Sequence, residues 1–181
     1  MLKTFIIHLE KVASFFRLGI HLYARSYKEI VKNEIALARI DSRDTVLNIG
    51  CGAIPFTAIH LAKEAQCKVI AVDHDALAVK RAQRVIRKLR LSSQVSVHHK
   101  DGEAPLDLTY NKAILALQTH PLKTVIETVF SPSRTIVVRQ PFESHQSLYD
   151  KVPEGYSAER SVYQPMKAFG YSVVLNKHTP D

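Results

Sequence analysis

The chain is short of cysteine, with two in 181 residues. Cys51 and Cys67 are too few for a disulfide framework, and no CxxC spacing offers a zinc knuckle. Two lone thiols also suit a reducing compartment, so a cytoplasmic setting is expected. No run of eighteen apolar residues exists, which leaves no candidate transmembrane helix. The apolar start is broken by Glu10, Lys11 and Arg17 and lacks the core and cleavage site of a signal peptide. Internal repeats and low-complexity tracts are missing too. What remains is the ordinary globular balance of 46% hydrophobic and 23% charged residues, enough for one domain with a full core. The net charge of +8 favours anionic partners such as nucleic acid, anionic lipid or acidic metabolites.

Hydrophobic periodicity predicts two helices over residues 3–40. Phe5, Ile6, Leu9, Val12, Phe15 and Phe16 mark the first, and Tyr27, Ile30, Val31, Ile35, Ala36 and Ala38 the second. Asp41, Ser42 and Asp44 break the pattern. Short apolar runs then predict strands at Thr45–Ile49, Lys68–Val72, Val95–His99, Lys112–Leu117, Arg134–Val138 and Tyr171–Leu175. Helices are expected between them at Pro55–Ala65, Ala76–Leu91 and Pro121–Phe130, the second capped by Asp75. This alternation implies a doubly wound, mostly parallel α/β sheet of the Rossmann-like kind, with helices on both faces. Residues 1–42 would form an N-terminal helical arm or lid, and 43–181 the sheet domain. Ligands of such sheets bind at the carboxyl ends of the strands.

The most informative stretch is Val46-Leu47-Asn48-Ile49-Gly50-Cys51-Gly52-Ala53-Ile54-Pro55. A strand enters a glycine turn and then a helix, and Gly50 and Gly52 leave room for a ligand to approach the backbone. Twenty-one residues past Gly52 comes Asp73, at the end of the next strand. A carboxylate there can accept hydrogen bonds from both ribose hydroxyls of an adenosine. Pro55 stands where a nicotinamide-dinucleotide fingerprint has its third glycine.

This pattern resembles motif I of the class I S-adenosylmethionine (SAM) dependent methyltransferases. Ala71-Val72-Asp73-His74-Asp75 is similar to that family's second motif and His99-Lys100-Asp101-Gly102 to its third. The resemblance implies SAM as cofactor, held by Asn48, Gly50, Cys51, Gly52, Pro55, Asp73, His74, Asp101, Gly102 and Leu117. Asp73 would hold the ribose, and Asp101 would lie near the adenine amino group. Asn48 and Asn111 replace acids that the family often carries, and no Asn/Asp-Pro-Pro-aromatic tetrapeptide follows the fourth strand. The loop Gly50-Cys51-Gly52-Ala53-Ile54-Pro55-Phe56-Thr57 also resembles that of the nicotianamine synthases, as does Val138-Arg139 with Ser144-His145 and Leu148-Tyr149. Those enzymes use the same fold and cofactor but transfer the aminocarboxypropyl group.

Methyl transfer to a small-molecule acceptor is the first expectation, and aminocarboxypropyl transfer the alternative. A non-catalytic protein that binds RNA or a protein partner is a third reading, which Asn48 and Asn111 support. His120 and Tyr110 are the candidate catalytic residues, with Gln118, Glu143 and His145 as further acceptor contacts; imidazole changes charge near neutral pH. His98 and His99 point to opposite faces of one strand, so no metal pair is expected. The helix carrying Lys80, Arg81, Arg84, Arg87, Lys88 and Arg90 could meet RNA or an anionic surface, although a solvated outer face is the preferred reading. The aromatic N-terminal helices could instead form a homo-oligomer surface.

Overall fold

The computed structural model describes residues 26–130, 135–164 and 169–177. The first of the two expected N-terminal helices lies outside the described residues. Residues 26–38 are helical (α1) and start the described chain. There follow β1 (Thr45–Ile49), α2 (Phe56–His60), β2 (Lys68–Asp73), α3 (Ala76–Lys88), β3 (Val95–His99), β4 (Lys112–Leu115), α4 (Leu122–Phe130), β5 (Thr135–Pro141), β6 (Tyr156–Tyr163) and β7 (Phe169–Lys177).

Seven strands form one sheet in the order β3-β2-β1-β4-β5-β7-β6. The first five are mutually parallel, and β7 runs antiparallel to both β5 and β6. The order reverses at β1 and β4, so the carboxyl ends of these two strands flank the natural crevice. The central strands are near-continuous apolar runs because both of their faces are covered. Val46, Val69, Ala71, Val97 and Ile114 face a core with α1, α2 and α3. Leu47, Ile49, Val72, Ala113 and Leu115 face the opposite core with α4. The doubly wound architecture expected from the alternation is the one found.

Three local expectations change. The helix expected over Pro55–Ala65 is α-helical only to His60; Leu61–Ala65 forms a π-helical turn, closed by Gln66 at a φ of 55°. That wider turn carries Leu61 and Ala62 into the core. β4 stops at Leu115 instead of Leu117, because Ala116–Thr119 turn across the crevice. β6 was not foreseen, since its sequence YSAERSVY is polar and lies along the sheet edge with no residue fully buried.

Asp75 caps α3 as expected, its carboxylate accepting from Leu77 N at 2.7 Å. The apolar face of α3 (Ala78, Val79, Ala82, Ile86) lies on the sheet, and all six basic side chains of the stretch 80–90 are exposed. Among the described residues no helix is long and apolar enough to cross a membrane.

Two polar clusters hold the fold at opposite ends of the sheet. At the amino ends of β1 and β4, Asp44 accepts from Asn111 Nδ2 at 2.6 Å, Lys112 Nζ at 2.8 Å and Asp41 N at 2.7 Å. Asn111 Oδ1 in turn accepts from Thr45 N. Asn111 is therefore a clamp far from the carboxyl ends. At the other end Arg139 of β5 forms a fork with Glu34 of α1, both bonds 2.8 Å and both groups buried. Glu34 also accepts from Ser172 Oγ at 2.7 Å, Ser172 Oγ accepts from Gln164 Nε2 at 3.0 Å, and Gln164 accepts from Asn33 Nδ2 at 3.0 Å.

Two predictions follow the clusters. Glu34→Ala leaves a buried guanidinium without its counter-charge, and unfolding in urea is expected to show a loss of about 3–5 kcal/mol. Asp44 is pushed upward by burial but pulled further down by the bonds from Lys112, Asp41 N and Asn111, so its folded pKa is lowered. A carboxyl lowered on folding stabilises above its unfolded pKa, and that stability drains as pH falls through the folded value. Melting temperatures followed from about pH 5 to about pH 2 should therefore fall less for Asp44→Asn than for the parent.

Candidate functional site

A cavity of about 640 Å³ opens across the carboxyl ends of the parallel strands, a size usual for small-molecule sites. Its floor is the turn after β1. Gly50 and Gly52 have φ angles of 74° and 67°, where a side chain would strain the backbone. A Cβ on Gly50 would stand 3.0 Å from Ala116 Cβ, whereas one on Gly52 would meet nothing within 4 Å. Gly50 is thus needed for close packing on the β4 turn, and Gly52 presents bare backbone to open space.

Asp73 ends β2 and latches this turn. Its Oδ2 accepts from Gly52 N at 2.8 Å and its Oδ1 from Asp75 N at 3.0 Å. Gly50 N and Cys51 N are bonded to Val72 O, which fixes the rest of the loop. At the end of β3, Asp101 lies beside Gly102 on the same cavity wall and accepts from Glu103 N. Cys51 also lines the cavity. Burial, reinforced by the carboxylate of Asp73, pushes its thiol up to about 12, so it is a protonated filler at neutral pH.

Of the residues singled out from sequence, the cavity gathers Gly50, Cys51, Gly52, Asp73, His74, Asp101, Gly102, Leu117 and His120. Three stay out. Asn48 is buried within β1, donates to Ile114 O at 3.4 Å, and its Oδ1 has no partner. It faces the α1–α3 core because its strand neighbours Leu47 and Ile49 face the other core and the cavity. Pro55 is buried at the start of α2 and shapes the loop without lining the cavity. Tyr110 precedes β4, so it lies at the amino end of the sheet, the wrong end for the crevice. Its ring is buried among α4 residues, its hydroxyl donates to Val129 O at 3.5 Å, and burial pushes its pKa up to about 12. That placement separates Tyr110 from the cavity in which a catalytic role was expected. The side chains of Glu143 and His145 lie outside the described residues.

The far wall comes from residues that were not among the expected site residues. Tyr27, Phe56, Thr57 and Arg139 line it. The rings of Tyr27 and Phe56 stack at 5.3 Å, the Arg139 guanidinium lies 5.5 Å from the Tyr27 centroid, and it donates to Thr57 Oγ1 at 2.9 Å. A signal existed in the sequence. Glu34 sits on the buried stripe of Ile30, Val31 and Ala38, and Arg139 follows the apolar run Ile136–Val138. Opposite charges on two buried stripes call for each other. At the mouth, His120 meets Asp150 at 3.0 Å. Among the described residues no three His, Cys, Asp or Glu gather into a metal site.

Comparison with known proteins agrees with this geometry. An L-histidine 2-aminobutanoyltransferase of Yersinia pestis is 34% identical over 73 residues, covering 40% of this chain and 28% of that protein. The match thus spans little more than a quarter of that relative. Among solved structures, the nicotianamine synthase MtNAS in complex with MTA and tNA superposes with a TM-score of 0.76 at 23% identity, over 86% of this chain and 61% of that one. An RNA methyltransferase of Salinibacter ruber, in complex with S-adenosylhomocysteine, superposes at 0.65 and 16% identity, over 84% and 94% of the two chains. The fold is accordingly that of SAM-dependent transferases. The family model for protein-L-isoaspartate(D-aspartate) O-methyltransferase (PCMT) matches residues 20–114, just over half the chain, from the approach to α1 into β4. With the glycine turn, Asp73 and Asp101 all inside that span, the chain belongs to the protein-L-isoaspartate(D-aspartate) O-methyltransferase family.

Proposed function

We propose that this chain uses S-adenosylmethionine to transfer a group, methyl as the first reading, to a small-molecule acceptor. The observation that carries the proposal is the cradle made by bare Gly52, latched Asp73 and Asp101 at the ends of three adjacent strands. A ribose on Asp73 and an adenine beside Asp101 direct the 5′ side of an adenosine across β1 toward β4 and β5. The remaining lining lies there: Leu117–His120, Thr57, Arg139 and the Tyr27–Phe56 stack. When bound, the donor supplies carbon activated by a positive sulfur. The chain has to orient the acceptor in line with that carbon and remove the acceptor's proton. Aromatic rings near the far end suit a cationic ligand.

A second reading, aminocarboxypropyl transfer, has its own support. The family match ends in β4, before Leu117–His120, Arg139 and the β5–β6 connection. The 34% identical relative is named for 2-aminobutanoyl transfer. The loop carries Pro55-Phe56-Thr57, of which Phe56 and Thr57 build the far wall. The methyl and aminocarboxypropyl readings share the adenosine cradle and differ in which carbon meets the acceptor.

Calorimetric titration with S-adenosylhomocysteine, SAM and NAD is expected to show binding of the first two and none of NAD. Asp73→Ala should weaken S-adenosylhomocysteine at least tenfold, since it removes both the ribose acceptor and the loop latch. Unchanged affinity in that variant would defeat the site. The by-product decides the group moved: S-adenosylhomocysteine for methyl, methylthioadenosine for aminocarboxypropyl.

A further inference from the structure

A second, smaller cavity of about 280 Å³ adjoins the first. Leu117, Gln118, Thr119, His120 and Tyr149 line both, so the two join at the carboxyl end of β4. Leu148 and Asp150 complete the smaller one. Asp150 comes from the connection between β5 and β6 and does two things. Its Oδ2 accepts from Leu122 N at 2.7 Å, at the start of α4, and its two oxygens lie 3.1 and 3.0 Å from His120 Nδ1.

The chemistry of that contact fixes the tautomer. The bond from Leu122 N holds the Asp150 carboxyl below its usual range against the opposing effect of burial, and His120 adds to the lowering. An ionised carboxylate can only accept. The proton between the two groups is therefore on Nδ1, which leaves the Nε2 lone pair of the neutral ring without a partner among the described residues. A histidine oriented by a carboxylate in this way is a competent proton acceptor.

Resting on the transferase reading, we propose that the smaller cavity seats the acceptor, that His120 Nε2 takes its proton, and that Asp150 is the positioning residue. The acceptor would be a small compound whose reacting N–H or O–H reaches His120 while an apolar part lies on Leu117 and Leu148. As its lone pair forms the new bond to carbon, the carbon–sulfur bond breaks, its electrons stay on sulfur, and the acceptor's proton moves to Nε2. The imidazolium so formed is stabilised by Asp150. The other titratable group of the smaller cavity is Tyr149; across the larger one stand Cys51, Asp73, His74, Asp75, Lys100, Asp101, Arg139 and Tyr27.

The test compares the parent with His120→Gln and Asp150→Asn. His120 is 77% exposed, so its replacement leaves the core intact, and asparagine can still accept from Leu122 N. Ring nitrogen NMR of the free protein is expected to show the Nδ1–H tautomer in the parent and its loss in Asp150→Asn. Turnover is followed with L-histidine, an alkylamine and a phenol as acceptor probes. With any probe that yields product, His120→Gln should lower kcat about 100-fold and abolish the acid limb of the pH profile. Asp150→Asn should lower kcat about tenfold with donor KM unchanged, since it frees the ring orientation and tautomer without touching the donor site. S-adenosylhomocysteine should bind all three proteins alike. A parent ring in the Nε2–H form overturns the proposal, as does His120→Gln turnover within twofold of the parent. If the parent binds no S-adenosylhomocysteine, the transferase reading itself falls. If Asp150→Asn does not fold, the parent's tautomer and the His120→Gln profile decide.

Discussion

The fork between Arg139 and Glu34 is the contact on which the arrangement depends. It joins a helix that precedes the sheet to a strand near its middle, and both charges are out of water. Such a pair holds only when its remaining hydrogen-bonding capacity is also met. Thr57 and Ser172 each bond one partner, and Gln164 with Asn33 extends the chain to β6 and back to α1. Five elements thus converge behind one wall of the cavity. Tyr27 can stand over the strand ends because Glu34, two turns further along α1, is fixed to β5.

That wall explains how a sheet shared by many transferases becomes a particular site. On the proposed reading the glycine turn and Asp73 serve adenosine, and their geometry is set by backbone hydrogen bonds. The proposed acceptor side is built from the approach helix, the start of α2, the end of β4 and the connection after β5. None of these is contiguous in sequence with another. The family match covers α1, α2 and most of β4 but not the β5 connection.

What could be read from the sequence follows from this division. β1, β2, β4 and β5 were legible because strands covered on both faces are near-continuous apolar runs, and the cradle because its parts follow one another at strand ends. Asp75 declared itself by position before a periodic run. β6 was hidden because an edge strand with Glu159 and Arg160 carries no apolar pattern. Tyr110 could not be told from the crevice residues in sequence, because proximity to β4 did not say which end of it. The Glu34–Arg139 pair spans 105 residues, and Asp150 stands 30 residues from His120 in an unpatterned loop. Local spacing carries no trace of such partners; charges on apolar stripes were the only clue.

The latch on Asp73 has a consequence for how the cradle would receive a ligand. Each oxygen is already engaged by a backbone amide, one from the glycine turn and one from the head of α3. The carboxylate therefore does not have to be recruited when a sugar arrives; its rotamer was chosen during folding. An incoming diol meets lone pairs whose directions are set, and the ordering entropy of the group is not charged to binding.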